Sequence, residues 1–331
     1  MAQDTEPDDD SDEESLDRDS DTECVPYDYA PLSGHLSSFP TPWEPASILP
    51  SDTKAKDEWN SISGSIPTKI LQKAGLNAFV SYDSVDDPDC WWTMQQCVKP
   101  KLKGIPSDVI DVPEPNTIGY GFDDGPSCSN KVFYDFLKNK NQKATMFFIG
   151  SNVLYLPLET QRALTDGHEV CVHTWSHSYM TALSSQDAFA ELYYMVKLVT
   201  GVTPTCWRPP YGDVDDRIRA IANAMGLRTI LWNYDSDDWT DDEVRVNKNY
   251  GNLIKDSKNG IFNKSGVILL THELDNFTMG KAIEYYPQLK SVFKYVVPIG
   301  VALNKTQPYT ETNRSLPTFE QCECISIYSI K

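Results

Sequence analysis

The sequence predicts an α/β domain with a mostly parallel sheet or barrel, beginning near Asn116. Six short apolar segments predict its strands: 117–122, 144–148, 169–173, 228–233, 267–271 and 296–303. Helix-length stretches separate these segments, and such alternation favours parallel strands joined by helical crossovers. In folds of this kind, the catalytic side chains gather at the carboxyl ends of the strands.

Two of the intervening stretches carry clear helix signals. Residues 185–200 place apolar side chains on one helical face, and Ser184 with Asp187 predicts a capping box at the start. Gly201 predicts the end of this helix. A second helix is predicted over 214–225, just before Gly226.

The acidic residues are concentrated at the N-terminus. The 331 residues include 29 Lys and Arg against 48 Asp and Glu, a net charge of −19. Met1–Glu23 alone holds twelve acidic residues and one arginine, which accounts for −11 of that charge. This composition predicts a largely disordered arm over residues 1–60. The overall charge also argues against nucleic-acid partners, because phosphate backbones are anionic.

Cysteines and glycosylation sequons indicate a secreted protein. The eight cysteines lack the paired spacing of zinc fingers, which favours disulfides, although the sequence leaves their pairing open. Four asparagines lie in sequons for N-glycosylation: Asn263, Asn276, Asn304 and Asn313. No apolar run approaches the roughly 18 residues of a membrane span, and no signal-peptide core is present. We therefore expect a secreted protein whose leader has been removed.

Cysteines also suggest how the segments flanking the predicted domain are attached. Residues 61–115 contain Trp91, Trp92 and Cys97, which predicts a disulfide-stapled extension that packs on the catalytic domain. Residues 304–331 form a C-terminal tail, which we expect Cys322 and Cys324 to tie back to the body. The catalytic domain itself is predicted over residues 116–303.

Two clusters suggest a metal site beside a carboxylate. His173 and His177 follow a predicted strand, and their i, i+4 spacing on a helical turn would let two imidazoles share a metal. Surface or packing histidines are the alternative. Asp123 and Asp124 end the first predicted strand, where one carboxylate can bind a cation while its neighbour accepts a proton. The same residues are also compatible with an ordinary turn.

Three further segments carry residue types suited to catalysis. Residues 208–213 combine Arg208 with two prolines and a glycine, which favours a rigid loop holding a guanidinium against a carboxylate, or merely a rigid connector. Residues 235–239 are rich in aspartate and end in Trp239. Residues 268–273 deliver His272 at a strand end, a position suited to a general acid or base or to a structural histidine.

These five segments, in this order, resemble the motifs of the polysaccharide deacetylases of carbohydrate esterase family four, the NodB homology domain. The resemblance spans about 115–300, and the longer surroundings are similar to fungal chitin deacetylases. It implies a distorted, incomplete (β/α) barrel. It also implies metal-dependent hydrolysis of N-acetyl groups from N-acetylglucosamine units of chitin or chito-oligomers, giving chitosan and acetate in the fungal cell wall.

The resemblance assigns a metal site and an acid–base pair. It implies that Asp124, His173 and His177 bind one divalent cation, usually zinc, with cobalt as the alternative. Asp123 would be the general base and His272 the general acid. Three protein ligands leave positions open for water and substrate, as catalytic zinc sites do.

The resemblance also assigns five supporting residues. Arg208 would orient the base, and Asp238 would orient and charge the acid. The backbone N–H of Tyr211 would stabilise the oxyanion, while Trp239 and Leu270 would form the pocket for the acetyl methyl group. One position departs from the family pattern, since Gly121 stands where threonine is usual; we expect altered packing there without lost chemistry.

Several alternatives stay open at the level of sequence. The substrate could be another acetylated glycan (peptidoglycan, xylan or short oligosaccharides), and a non-catalytic wall-binding homologue is a further reading. The cysteines and sequons favour a eukaryotic secreted enzyme and therefore chitin over peptidoglycan. We expect a monomer that acts outside the cell or in the wall, with lipid anchoring of the full-length protein as an additional possibility.

Overall fold

A parallel sheet forms the centre of the protein in a computed structural model that describes residues 22–73, 75–195, 201–305 and 307–319. Its eight strands are β1 (Thr117–Gly125), β2 (Thr145–Phe148), β3 (Glu169–Val172), β4 (Cys206–Trp207), β5 (Arg228–Thr229), β6 (Tyr234–Asp235), β7 (Val267–Leu270) and β8 (Tyr295–Val297). The strand order is β5-β4-β3-β2-β1-β7-β6, and β8 pairs with β1 outside this path. All of the strand pairs are parallel, which confirms the predicted α/β class and its incomplete barrel.

Strand β1 lies at the centre and has three partners. Its first residues pair with β8, its middle pairs with β7, and Gly121–Gly125 pairs with β2. A Cβ added to Gly121 would lie 2.9 Å from the carbonyl oxygen of Thr145 on β2. The close approach of these two strands therefore depends on glycine at this position.

Two predicted strands differ from the structure. The segment 228–233 forms only the short strand β5, and β6 begins just after it. The segment 296–303 ends as a strand at Val297, because Pro298 has no N–H to continue the ladder and instead precedes a helical turn, Ile299–Ala302. Strand β4 was not predicted, since two residues are too short to show a period.

Twelve α-helices surround the sheet in the described part of the chain. They are α1 (Ala30–Ser33), α2 (Thr53–Ser63), α3 (Gly75–Ser81), α4 (Trp92–Gln95), α5 (Lys131–Asn139), α6 (Gly150–Tyr155), α7 (Pro157–Thr165), α8 (Ser185–Tyr193), α9 (Asp216–Ala224), α10 (Glu243–Lys258), α11 (Asn276–Val292) and α12 (Ile299–Ala302). No helix among the described residues is long and apolar enough to cross a membrane.

Both predicted helices are present, as α8 and α9. The Ser184 side chain caps α8 by accepting a hydrogen bond from the Asp187 N–H at 3.0 Å. The helix ends at Tyr193 instead of residue 200, and residues 196–200 lie outside the described residues. Helix α9 starts at Asp216, two residues later than predicted, because Asp215 is its N-cap and accepts from the Ile218 N–H.

The disordered arm predicted over residues 1–60 does not extend to residues 22–60. This part of the chain lies against the body: Cys24 forms a disulfide with Cys128, and the side chain of Ala46 is fully buried. The acidic excess ends at Glu23, and beyond it the Tyr27 hydroxyl donates to Glu159 on α7 and the Ala46 N–H donates to Glu191 on α8. Residues 1–21, which carry most of the acidic run, lie outside the described residues.

Disulfides join three pairs of cysteines in the described chain, as the cysteine pattern predicted. Besides Cys24–Cys128, a bridge between Cys90 and Cys97 staples the extension before β1, and Cys171–Cys206 links β3 to β4. The predicted attachment of the tail falls on Cys322 and Cys324, which lie outside the described residues.

Candidate active site

The five segments predicted to carry chemistry meet at one edge of the sheet. Each segment lies at or just after the end of a strand. They are 121–126 at the end of β1, 173–177 after β3, 208–213 after β4, 235–239 from the last residue of β6, and 268–273 across the end of β7. Because these parallel strands lie close together, their carboxyl ends form a single edge. A parallel bridge between Asp123 and His272 joins two of the segments directly.

Two adjacent carboxylates leave β1 in different directions. The pairing of β1 with β2 shifts register between Asp123 and Gly125, so that Asp124 lies in a bulge with a φ of 72°. As a result, Asp123 contacts Arg208, whereas Asp124 faces His173 and His177. This divergence is what allows neighbouring residues to take separate roles.

Asp124, His173 and His177 bring three ligand atoms together. The Oδ1 atom of Asp124 lies 3.2 Å from Nε2 of His173 and 3.1 Å from Nε2 of His177. All three ligand atoms lie within 4.8 Å of one another, the spacing expected of a metal site.

A hydrogen bond to a carbonyl oxygen sets the tautomer of His173, one of the two imidazoles. His173 Nδ1 lies 2.8 Å from the carbonyl oxygen of Arg208, and a carbonyl can only accept, so Nδ1 carries the proton in the neutral ring. His177 Nδ1 lies 3.1 Å from the Tyr211 hydroxyl, which can either donate or accept a hydrogen bond. Asp124 Oδ1 is buried, yet it accepts no hydrogen bond. One carboxylate oxygen and two imidazole nitrogens thus converge on one point, a set of residue types suited to a divalent cation.

Left-handed backbone conformations accompany the site. Asp124, Thr174, His177 and Tyr211 have φ values of 72°, 65°, 57° and 58°. Such values are uncommon outside glycine, and they persist only where surrounding contacts hold them. One such contact is the hydrogen bond from the His177 N–H to the Thr174 hydroxyl at 3.1 Å. Contacts around the site thus stabilise strained backbone conformations at these four residues, and these conformations orient their side chains.

Asp123 forms a buried ion pair with Arg208. The guanidinium Nη1 lies 2.6 Å from Asp123 Oδ1, and both side chains are almost entirely buried. Arg208 also donates to the carbonyl of Leu231, and its guanidinium lies 4.1 Å from the centre of the Phe147 ring. These contacts fix the guanidinium, which in turn fixes one oxygen of Asp123 and leaves the other, Oδ2, on the side of His173.

His272 is held by Asp238 in the orientation of an acid. Its Nδ1 lies 2.6 Å from Asp238 Oδ1, and its backbone N–H donates to Asp238 Oδ2 at 3.0 Å. Burial lowers the pKa of His272, but the charge of Asp238 and this hydrogen bond outweigh burial and raise it to about 9. Since Nδ1 is engaged with Asp238, Nε2 is the nitrogen left to donate a proton to a substrate.

The remaining predicted site residues differ in exposure. Tyr211 lies in a 3₁₀ turn, Pro210–Gly212, with its ring half-exposed and stacked on Tyr179 at 4.1 Å. Trp239 is half-exposed and follows Asp238 directly, whereas Leu270 is buried at the end of β7.

Sequence reasoning missed the role of two acidic residues beside the site. Glu273 is buried and accepts hydrogen bonds from the Asn130 side chain and the Tyr134 hydroxyl, both at 2.9 Å. Burial raises its pKa to about 7. Asp213 accepts from the indole N–H of Trp91 at 2.8 Å, so it anchors the extension before β1. Their only sequence signal is proximity to His272 and Arg208.

Two other groups of potential ligands are disulfide sites. Cys90 and Cys97 lie near Asp87, and Cys171 and Cys206 lie near Glu169, but both cysteine pairs are oxidised to disulfides. Among the residues described, Asp124 with its two histidines is therefore the one such cluster without a disulfide.

Comparison with known proteins finds one matching family model and several similar fungal proteins. A family model described as polysaccharide deacetylase matches residues 111–230. Chitin deacetylase 2 of Cryptococcus neoformans var. grubii is 49% identical over 317 residues, covering 91% of this chain and 70% of that protein. Chitin deacetylase of Amylomyces rouxii is 41% identical over 304 residues, covering 87% of this chain and 72% of that protein.

A solved structure supports the fold independently. The chitin deacetylase of the fungal pathogen Colletotrichum lindemuthianum matches with a TM-score of 0.57 at 22% identity, covering 62% of this chain and 95% of that one. At this identity the match bears on architecture alone.

Proposed function

The chain belongs to the polysaccharide deacetylase family, and on this premise we propose that it hydrolyses the N-acetyl groups of N-acetylglucosamine units in chitin or chito-oligomers. The products are acetate and deacetylated units, as in chitosan. One observation carries the proposal: the converging Asp124, His173 and His177 donors lie beside an arginine-paired carboxylate and an aspartate-paired histidine. The names of the similar fungal proteins support chitin as the substrate.

Asp124, His173 and His177 would hold one divalent cation, with zinc as the first choice and cobalt as the alternative. The unprotonated Nε2 of His173, the neighbouring Nε2 of His177 and the buried carboxylate oxygen that accepts no hydrogen bond fit such an ion. When bound, the cation would polarise the amide carbonyl and lower the pKa of water from ~15.7 towards ~7.

Asp123 acts as the general base in this mechanism. Its Oδ1 is fixed by Arg208, and its Oδ2 lies 3.9 Å from Nε2 of His173, on the side of the cation ligands. Oδ2 is therefore placed to take a proton from water as the water oxygen bonds to the acetyl carbon. Arg208 fixes the orientation of the base through a charge-assisted hydrogen bond.

The backbone at Tyr211 is the proposed oxyanion donor. Attack converts the planar carbonyl into a tetrahedral centre with negative charge on oxygen, and a fixed N–H stabilises that charge. Such a donor is typically worth roughly 2.7–4 kcal/mol. The positive φ of Tyr211 holds its peptide in one orientation within the Pro210–Gly212 turn.

His272 completes the reaction as the general acid. The C–N bond breaks only when the leaving nitrogen gains a proton, because an amide anion is a very poor leaving group. Nε2 of His272 donates that proton, and Asp238 keeps the imidazolium populated at neutral pH. The water hydroxyl ends in acetate, and the amine stays on the sugar. Trp239 and Leu270 are the proposed walls of the acetyl pocket.

The extracellular setting is part of the proposal. Three disulfides in the described chain suit an oxidising compartment. The four sequon asparagines, Asn263, Asn276, Asn304 and Asn313, are all exposed, as glycosylation requires. We propose a monomeric enzyme that acts at the cell wall.

Acetyl release from defined oligomers tests the function. The zinc-loaded protein is incubated with N-acetylglucosamine oligomers of graded length, and products are followed by mass spectrometry beside Asp123→Asn. Asp237→Asn is the matched control, because Asp237 pairs with Arg245 outside the acid–base groups. Metal-dependent loss of acetyl groups that requires Asp123 but tolerates the control supports the proposal.

The opposite outcome is equally informative. If no oligomer loses acetyl while zinc binds stoichiometrically, chitin is not the substrate. Activity on acetylated xylan or peptidoglycan would then identify another glycan deacetylase. Binding of chitin without turnover of any of these substrates would instead identify a wall-binding homologue.

A further inference from the structure

A single buried carboxylate holds the turn between the two histidines of the candidate metal site. Glu191 on helix α8 is fully buried, and its Oε2 accepts from the backbone N–H groups of Trp175 and Ser176, both at 2.9 Å. Its Oε1 accepts from the Ser176 hydroxyl at 2.7 Å. These two residues stand between His173 and His177, so Glu191 fixes the peptides that set the separation of the imidazoles.

The fourth donor to Glu191 comes from a distant part of the chain. The Ala46 N–H donates to Oε1 at 2.7 Å, across 145 positions in the sequence. Ala46 belongs to residues 39–46, which we call the N-terminal strap. The strap lies outside the region matched by the family model, residues 111–230.

The strap also holds Trp175, the central residue of the turn. The Phe39 ring stacks on the Trp175 ring with centres 5.8 Å apart and planes within 1°. The Trp175 indole N–H donates to the Thr41 carbonyl at 3.1 Å. The Trp43 N–H donates to the Ser151 hydroxyl at 2.8 Å, and that hydroxyl donates to the Trp175 carbonyl at 2.6 Å. Both faces of the Trp175 peptide are thus fixed from outside its own segment.

Four donors saturate this carboxylate in a way that no neutral side chain reproduces. A carboxylate only accepts, so each oxygen can serve two N–H or O–H groups. A glutamine of the same shape has one accepting oxygen and one donating amide. Whichever way the amide turns, two of the four donors lose their acceptor and face another donor. The loss of these hydrogen bonds destabilises the turn between the two histidines.

We propose that Glu191 is a positioning residue for the metal site, and that the N-terminal strap, acting through Glu191 and Trp175, is part of the structure that sets cation affinity. This inference rests on the proposed function for the identity of the ligands. Removing a group that hydrogen-bonds directly to a metal ligand typically changes metal affinity about 10–100-fold, and Glu191 acts one step further out, through the backbone of the turn, so we expect an effect near the lower end of that range. Glu191 would act on His173 and His177 alone, because it contacts none of the acid–base residues.

Cation affinity of Glu191→Gln in the full chain tests the proposal. The zinc Kd is measured by competition with a chelator, and the thermal midpoint of the metal-free protein is measured in parallel. Glu169→Gln is the matched control: Glu169 is also buried and accepts from the Thr145 hydroxyl and the Gly300 N–H, but it lies away from the histidine turn. We expect the zinc Kd to rise about 10-fold or more in Glu191→Gln and to change less than about 2-fold in the control.

Each outcome separates this inference from the proposed function. If the wild-type protein binds no divalent cation, the metal assignment itself fails. If the wild type binds zinc and Glu191→Gln binds it equally well while losing thermal stability, Glu191 is merely structural and the inference is overturned. A steady-state KM that stays unchanged while zinc affinity falls would further support positioning, since the substrate pocket is untouched.

A second variant tests the strap and covers the case in which Glu191→Gln does not fold. Phe39→Ala removes the stacked ring from Trp175 and leaves all four donors to Glu191 in place. We expect weaker zinc binding than in the wild type, by a smaller factor than in Glu191→Gln. An unchanged zinc Kd in Phe39→Ala would remove the strap from the proposal.

Discussion

Replacing Asp238 with asparagine should move the pH range in which His272 can act as an acid. In the wild type the Asp238 charge and its 2.6 Å hydrogen bond raise the pKa of His272 to about 9, against an ordinary value near 6.5. Asp238→Asn keeps the shape but removes the charge. Burial is then opposed only by the smaller effects of the Asp124 and Asp123 charges, so the pKa should fall to about 6.5, a change of about 3 kcal/mol in favour of the neutral ring.

The consequence for activity follows from the sign of this change. A general acid works only while protonated, so the rate falls as pH rises through its pKa. At pH 8 an imidazole with a pKa near 9 is about nine-tenths protonated, whereas one at 6.5 is only about 3% protonated. We therefore expect kcat at pH 8 to fall about 30-fold in Asp238→Asn. Near pH 5.5 the loss should be much smaller, because both proteins are then protonated.

The assay is kcat and kcat/KM against pH on a chito-oligosaccharide, with Asp237→Asn as the matched control. Asp237 stands one position away but pairs with Arg245 and Asn249. A cation held by Asp124 would lower the pKa of His272 in both the wild type and Asp238→Asn. The test is therefore the difference between the two proteins in the pH at which kcat falls on the alkaline side of the profile. If Asp238→Asn lowers the maximal kcat without changing the pH at which kcat falls, His272 is not the titrating acid and the reasoning fails.

Three further changes test other contacts. Arg208→Met should lower kcat at least about 100-fold and cost about 3–5 kcal/mol in urea unfolding, because Asp123 stays buried without its cation; full activity of the variant would contradict that pairing. His177→Ala should raise the zinc Kd more than about 100-fold in chelator competition, beyond the effect of losing an outer contact; a near-native Kd would exclude it as a ligand. Cys24→Ser should lower the free energy of unfolding by about 2–4 kcal/mol, because the bridge to Cys128 closes a separation of 104 residues; equal urea midpoints would argue against that bridge.

Much of the candidate site was predictable because its residues lie next to their strands in sequence. Asp123 and Asp124 end β1, and His272 follows β7, so an α/β reading places all three at one edge of the sheet. The order of five such segments then supported the family resemblance. Local sequence therefore carried both the residue types and their approximate location.

Other features depended on contacts between distant segments. Composition predicted disorder through residue 60, but composition does not show that Ala46 meets Glu191 or that Phe39 stacks on Trp175. Strand β4 comprises two residues, too few to show a period, yet it delivers Arg208 to Asp123. These errors share a cause: tertiary packing stabilised segments with weak local signals.

The sequence by itself determined the α/β class, the family, and the residue types of the site, because strand periodicity and motif order are properties of local sequence. Tertiary structure alone decided which nitrogen of His173 faces Asp124, which partner raises the pKa of His272, and where the N-terminal strap lies. Those properties depend on distance, burial and hydrogen-bond direction between segments far apart in sequence. They require that the sheet bring the carboxyl ends of its strands together and that the strap pack against the histidine turn.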